Sequence, residues 1–289
     1  MTTALLFAGQ GVAPPWIAAE LVARAEARPL VEALGDATGE DGARLLLRGG
    51  AALARSEVLQ PALVTACLIA AAALADAGVD AAAVCGHSLG ELAAWAAGGF
   101  VSATDAIAVT AIRGRLMARE AARFPGGMAV VVGDVAAALA CGPLVVAARN
   151  APDETVLAGD PAAIAAVVAA GRGKKLDVAG AWHSAAMAGA VDELEAALAA
   201  VPQHGSRALF VCNRDGRVAE PAAIPGLLAG QLVRPIEWTA AARTLAALGV
   251  TRYVVAGPGR VVRALLRANL GDVDIRLVDG ARALARVAA

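Results

Sequence analysis

Ser88 stands in Gly86-His87-Ser88-Leu89-Gly90, a G-x-S-x-G run between the apolar segment Ala82–Cys85 and the helical stretch Glu91–Ala97. In that setting the motif makes a sharp strand-to-helix turn that presents the serine hydroxyl at the end of the strand. The helix N-terminus beside it offers free N–H groups and the positive end of a dipole, which suit an oxyanion forming at an attacked carbonyl. The chain carries 31 glycines, so a chance match is the competing explanation, and the flanking strand and helix weigh against it. A serine alcohol is a poor nucleophile without a base, and the chain holds three histidines, His87, His183 and His204. His87 adjoins the nucleophile on a tight turn, where its ring is expected to point away from Ser88 and pack. His204, in Pro202-Gln203-His204-Gly205-Ser206, reads as exposed loop. His183, in Ala181-Trp182-His183-Ser184, reads as structural when taken alone and as the base once Ser88 needs a partner.

Arg113 is the third group with chemistry to account for. Arg115, Arg119 and Arg123 follow one another at i, i+4 spacing and form a charged, solvated stripe. Arg113 falls off it, with Val109, Leu116 and Met117 as its i−4, i+3 and i+4 neighbours, so its guanidinium emerges on an apolar face. Burying an unpaired cation costs several kcal/mol. Arg113 therefore has either a permanent carboxylate partner or a place at a cleft where an anionic ligand arrives, and its planar two-pronged donor suits a free carboxylate.

The elements that position these groups follow from periodicity. Short aliphatic runs alternate with Ala-rich helical segments, the pattern of a parallel sheet covered by helices. Thr3–Phe7 and Ala82–Cys85 read as buried strands, and Arg252–Ala256 as a strand before the helix Arg260–Ala268. Ser102 followed by Asp105 reads as a capping box opening a helix to about Phe124, which Pro125-Gly126-Gly127 ends. Beyond that break come strand Met128–Val132, helix Val135–Cys141, strands Leu144–Arg149 and Thr155–Ala158, helix Ala162–Ala170 and strand Lys174–Val178. This βαββαβ order is the ferredoxin-like arrangement. It places a small inserted subdomain at 125–182 in a large α/β subdomain made of 1–124 and 183–289.

The chain of 289 residues is 58% hydrophobic and 3% aromatic, enough for a sizeable core of closely packed helices and aliphatic strands. A formal net charge of −1 gives no reason to expect nucleic acid or an anionic membrane as partner. Val58–Ala75 is uncharged and near the roughly 18-residue length of a membrane span, yet Gln60, Pro61 and Thr65 interrupt it, and it reads as a buried core helix. Cys67, Cys85, Cys141 and Cys212 lie far apart in apolar stretches, which suits reduced core residues of a cytoplasmic protein and no metal site. The N-terminal segment lacks the features of a signal peptide, and no internal repeat or disordered tail is expected.

Together the motifs resemble the malonyl-CoA:acyl carrier protein transacylases and the related acyltransferase domains of polyketide synthases. The likeness rests on Phe7-Ala8-Gly9-Gln10-Gly11, Gly86-His87-Ser88-Leu89-Gly90-Glu91, Arg113-Gly114 with Met117, Asn150-Ala151-Pro152, Trp182-His183-Ser184 with Met187, Asn213, Gln231-Leu232 with Pro235 and Trp238, and Gly257-Pro258-Gly259. The resemblance implies an α/β-hydrolase-like large subdomain with a ferredoxin-like insertion. It implies Ser88 as nucleophile, His183 as base, Arg113 holding a malonyl carboxylate, and the N–H groups of Gln10 and Leu89 as an oxyanion hole. It implies that the main-chain carbonyl of Gln231 orients the imidazole and that Asn213 supports the same His region. Trp182 and Leu89 match the pattern of relatives that take malonyl and not methylmalonyl groups.

By the same resemblance no cofactor is bound: malonyl-CoA is a substrate and phosphopantetheine is carried by an acyl carrier protein, in fatty acid or polyketide biosynthesis. A monomer is expected, docking its carrier through local cations, for which Arg172, Lys174 and Lys175 are candidates. The chain departs from the family at Ala8, where proline is usual, and at Val12-Ala13, so the loop carrying Gln10 is expected to be less rigid; it departs also at Val178-Ala179-Gly180-Ala181, where more polar residues are common. Two other readings use the same residues. A serine thioesterase that clears carrier proteins would have no need of Arg113, and a degenerate docking subunit would not keep Ser88, His183 and Arg113 together.

Overall fold

The strands are short, and the longer ones are rich in aliphatic residues. In chain order they are β1 (Thr3–Phe7), β2 (Ala83–Gly86), β3 (Gly127–Val132), β4 (Leu144–Arg149), β5 (Glu154–Gly159), β6 (Lys174–Lys175), β7 (Leu209–Phe210), β8 (Arg252–Ala256) and β9 (Asp274–Val278). The computed structural model describes residues 2–10 and 16–288; Gly11 and the Val12-Ala13 departure lie outside the described residues.

Two sheets result. The larger runs β7-β2-β1-β8-β9, all parallel, with Leu5 opposite Val84 on one side and Val254 on the other. β1 is buried along its whole length, as a strand covered on both faces must be. The smaller sheet runs β4-β5-β3-β6 and is antiparallel. With helices Val135–Leu139 and Pro161–Ala169 between its strands, this is the ferredoxin-like order, and all four strands come from within 125–182. Its last strand is shorter than the expected Lys174–Val178. Leu176 N–H still reaches the Met128 carbonyl at 2.9 Å, but Val178 N–H bonds back to the Leu176 carbonyl at 3.1 Å and the chain turns away from the sheet.

The small sheet is held where its chain leaves and returns, and along its β4 edge. Pro125 bridges Gly180 where the chain leaves and returns, and edge strand β4 exchanges bonds with Ile236, Arg149 N–H to the Ile236 carbonyl at 2.8 Å and Ile236 N–H to the Ala147 carbonyl at 3.0 Å.

Two 21-residue helices, Ser56–Asp76 and Ala103–Arg123, pack on each other behind the site. The first is apolar and long enough to cross a membrane, and 83% of its apolar window is buried inside the fold. The second starts at Ser102, whose hydroxyl accepts the Asp105 N–H at 3.1 Å, a cap worth about 1 kcal/mol. The helices can approach because Gly114 has no side chain: a Cβ there would lie 2.5 Å from the Ser56 carbonyl oxygen. Arg115, Arg119 and Arg123 are exposed, and Arg119 also pairs with Glu120 and Glu193 at 2.8 and 2.6 Å. Cys67, Cys85 and Cys212 are buried free thiols. Cys141 corrects the expectation of four core cysteines: it sits at the end of a short surface helix and is only part-buried.

Candidate active site

β2 runs into the helix Gly90–Ala97 through a turn that leaves Ser88 at φ 49°. Side chains would block so tight a turn, since a Cβ on Gly86 would fall 2.1 Å from the Gly90 carbonyl oxygen. Asn213, arriving just after β7, fixes the turn by accepting the Ser88 N–H on its Oδ1 at 2.9 Å.

His183 reaches the same point from the segment that leaves the small sheet, and Ser88 Oγ lies 2.8 Å from its Nε2. Its Nδ1 lies 2.9 Å from the main-chain carbonyl of Gln231. A carbonyl can only accept, so the proton sits on Nδ1 and the Nε2 lone pair faces the serine hydroxyl. Burial, reinforced by the nearby Arg113 cation, pushes the His183 imidazolium down to about 3, which keeps the ring neutral, with its Nε2 lone pair free, at physiological pH. Asn213 does not support the histidine as expected. Its side chain holds the Ser88 backbone, because β7 runs parallel to β2 and brings the residues after it beside the turn that ends β2.

Arg113 is 3% exposed and donates to two amide oxygens, Gln60 Oε1 at 2.7 Å and Gln231 Oε1 at 3.2 Å. Among the described residues no carboxylate lies within ion-pairing distance of it. Burial lowers its pKa to about 10, against the opposing pull of Glu91, so it stays charged at neutral pH.

Ser88, His183 and Arg113 line one cavity of about 310 Å³ with Trp182 and Gln10 at its walls, and Met128 and Val156 of the small sheet close it from the other side. The main-chain N–H groups of Gln10 and Leu89 have no hydrogen-bond partner among the described residues, and both residues line the cavity.

A family model for the acyl transferase domain matches residues 9–259. The chain is 37% identical over 234 residues to the malonyl CoA-acyl carrier protein transacylase of Mycobacterium tuberculosis (strain H37Rv), covering 76% of this chain and 77% of that one. Its fold matches the crystal structure of MCAT from Mycobacterium tuberculosis with a TM-score of 0.91 at 33% identity, with 100% of both chains covered. It matches a malonyl-transacylase, solved in complex with its type II polyketide synthase acyl carrier protein, at 0.89 and 27% identity, with 99% of this chain and 98% of that one covered. The chain belongs to the malonyl-CoA:acyl carrier protein transacylase family.

Within this transacylase fold, His87 lines the same cavity but its ring is bonded away from Ser88 Oγ, and His204 lies outside the cavity. His87 Nε2 lies 2.9 Å from Asn150 Oδ1, and its ring packs 5.4 Å from that of Trp238. His204 is exposed. Arg172, Lys174 and Lys175 are exposed at the last strand of the small sheet, within four residues of Leu176, which lines the cavity. Two groups escaped the sequence reading. Gln60 was visible as a lone amide in an uncharged run; its oxygen takes one of the Arg113 donors. Glu91, next to the G-x-S-x-G glycine, is a charged residue with no exposure at all, and an acid in the first turn of so apolar a helix was the available signal.

Proposed function

We propose that this chain transfers a malonyl group from coenzyme A to the phosphopantetheine thiol of an acyl carrier protein, through a malonyl ester on Ser88. The observation that carries the reading is Arg113: a buried guanidinium with neutral partners, in the same cavity as the Ser88–His183 pair. The distal carboxylate of a malonyl group supplies the negative charge that the two amides lack.

The chemistry follows from the geometry. Ser88 Oγ attacks the thioester carbonyl carbon while His183 Nε2 accepts the hydroxyl proton. The displaced electron pair moves onto the carbonyl oxygen, which the N–H groups of Leu89 and Gln10 receive at the helix N-terminus. Collapse expels the coenzyme A sulfur, which takes the proton from His183. The carrier thiol then gives its proton to His183 and attacks the Ser88 ester, and the serine oxygen recovers the proton as it leaves. Apolar walls such as Met117, Met128 and Val156 keep water from competing with the thiol. The Gln231 carbonyl serves where a triad carboxylate would otherwise orient the imidazole. The product serves fatty acid or polyketide biosynthesis.

Intact-mass measurement after incubation with malonyl-, methylmalonyl- and acetyl-CoA tests the proposal. A malonyl adduct that a carrier thiol discharges is the expected result. No adduct from any thioester, or an adduct that water clears as fast as the carrier does, would sink it.

A further inference from the structure

Behind the Ser88–His183 pair lies a carboxylate that the transfer steps leave unused. Glu91 has no exposed surface. One oxygen, Oε1, accepts the main-chain N–H of Asn213 at 2.6 Å, and the other, Oε2, accepts the side-chain N–H of Gln231. Each of these partners holds one half of the pair: Asn213 Oδ1 takes the Ser88 N–H, and the Gln231 carbonyl takes the His183 Nδ1–H. Gln231 Nε2 also donates to the Ser88 carbonyl at 3.1 Å.

The direction of every bond in this network is fixed. Arg113 can only donate, so it claims the oxygen of the Gln231 amide and turns the amide nitrogen toward Glu91. A main-chain N–H is likewise only a donor. Two donors therefore converge on residue 91, and only a side chain with two acceptor oxygens satisfies both. An amide would set its NH₂ against one of them, and a buried network left half satisfied loses its geometry.

We infer that Glu91 is the positioning residue of this site, a buried carboxylate that aligns nucleophile and base together through Asn213 and Gln231. It rests on the acyl-transfer reading only in taking Ser88 and His183 as the working pair. It acts where a triad acid would act, but one residue removed from the imidazole.

The titratable or charged groups facing Glu91 are Arg113 and the thiols of Cys85 and Cys212, with His183 one residue further, beyond Gln231. Burial pushes both thiols far up and His183 down to about 3, while Arg113 stays charged. Burial raises Glu91 itself to about 7. As pH falls through 7, one acceptor oxygen becomes a hydroxyl facing donors, so acylation slows while the His183 ring is still neutral. An acid limb near neutrality thus reports Glu91 and not the base.

Glu91→Gln tests this with two probes of Ser88, malonyl-CoA and a phosphonofluoridate that needs no acyl recognition. We expect both modification rates to fall about 10- to 100-fold, the KM for malonyl-CoA to stay within about twofold, and the acid limb to vanish. A wild type that takes phosphonate but not malonate, with the same response to Glu91→Gln, would fail the substrate reading and leave the positioning role standing. Phosphonylation within about twofold of wild type with an unchanged pH profile overturns it. Should Glu91→Gln not fold, wild-type protein with ¹⁵N-labelled histidine decides: a rate limb near pH 7 with a neutral His183 ring supports the inference, and a limb that coincides with ring protonation overturns it.

Discussion

Ser88 Oγ and His183 Nε2 meet at 2.8 Å across 95 residues of chain, and these two residues are the non-glycine positions with left-handed φ among the described residues, at 49° and 60°. Such a backbone costs about 1–3 kcal/mol at each site and persists only where the surroundings over-determine it. At Ser88 the surroundings are the closely apposed glycines 86 and 90 and the Asn213 side chain. At His183 they are the Gln231 carbonyl and Ser184, whose hydroxyl donates to the Ala181 carbonyl at 2.6 Å.

Removing the serine hydroxyl leaves the turn that carries it intact. Ser88→Ala should abolish covalent malonylation, read by intact mass, with an unchanged thermal midpoint. His183→Ala should slow acylation by a factor of about 100 to 10,000, the usual worth of a positioned base. Full activity in either variant would overturn the mechanism.

Arg113→Ala separates recognition from chemistry. A charge-assisted carboxylate contact is lost, and an acetyl group no longer leaves a desolvated cation unpaired, a difference of about 2 kcal/mol or more. Loading rates measured for both thioesters should show malonyl falling about 30-fold or further and acetyl rising relative to it. Untouched malonyl loading would show the substrate assignment to be wrong while leaving the serine chemistry in place.

Local signals carried far into this fold. The aliphatic run Thr3–Phe7, the Ser102 cap and the Pro125-Gly126-Gly127 break each state their structure within a few residues, because period, cap and turn chemistry act locally. Arg113 was legible as a conflict between a cation and its apolar helical neighbours. What it pairs with was not, since Gln60 and Gln231 lie 53 and 118 residues away. Asn213 shows the same limit. Its place near the site could be inferred by resemblance, but its choice of the Ser88 N–H over the histidine depends on the parallel pairing of β7 with β2. Glu91 went unread because its two bonds span 122 and 140 residues, and the residue itself looks like an ordinary acid in a helix's first turn.

The carrier protein has to bring its thiol to the mouth of the cavity, and Lys174 and Lys175 are exposed just ahead of the wall residue Leu176. An acidic carrier would meet them there. Charge reversal at both lysines should raise the KM for the carrier protein and leave that for malonyl-CoA unchanged, as measured in a two-substrate transfer assay. An unaltered carrier KM excludes this surface.

Trp182 precedes the base and lines the cavity while only 7% exposed, so its ring has little freedom to move aside for a larger acyl group. A branch methyl on the malonyl α-carbon that met this ring would have to displace packed atoms, which closely packed interiors resist. One excluded methyl is worth about 1 to 3 kcal/mol, which gives preference and not absolute rejection. Trp182→Ser opens that wall without touching Arg113 or the Ser88–His183 bond. Competition between malonyl- and methylmalonyl-CoA, read as the ratio of the two adducts on Ser88, should therefore shift toward methylmalonyl by about 10-fold or more. Malonyl loading by the same variant should keep its dependence on Arg113. If wild-type protein already loads both groups at equal rates, or the ratio does not move in Trp182→Ser, the discrimination against the methyl group resides elsewhere in the cavity wall.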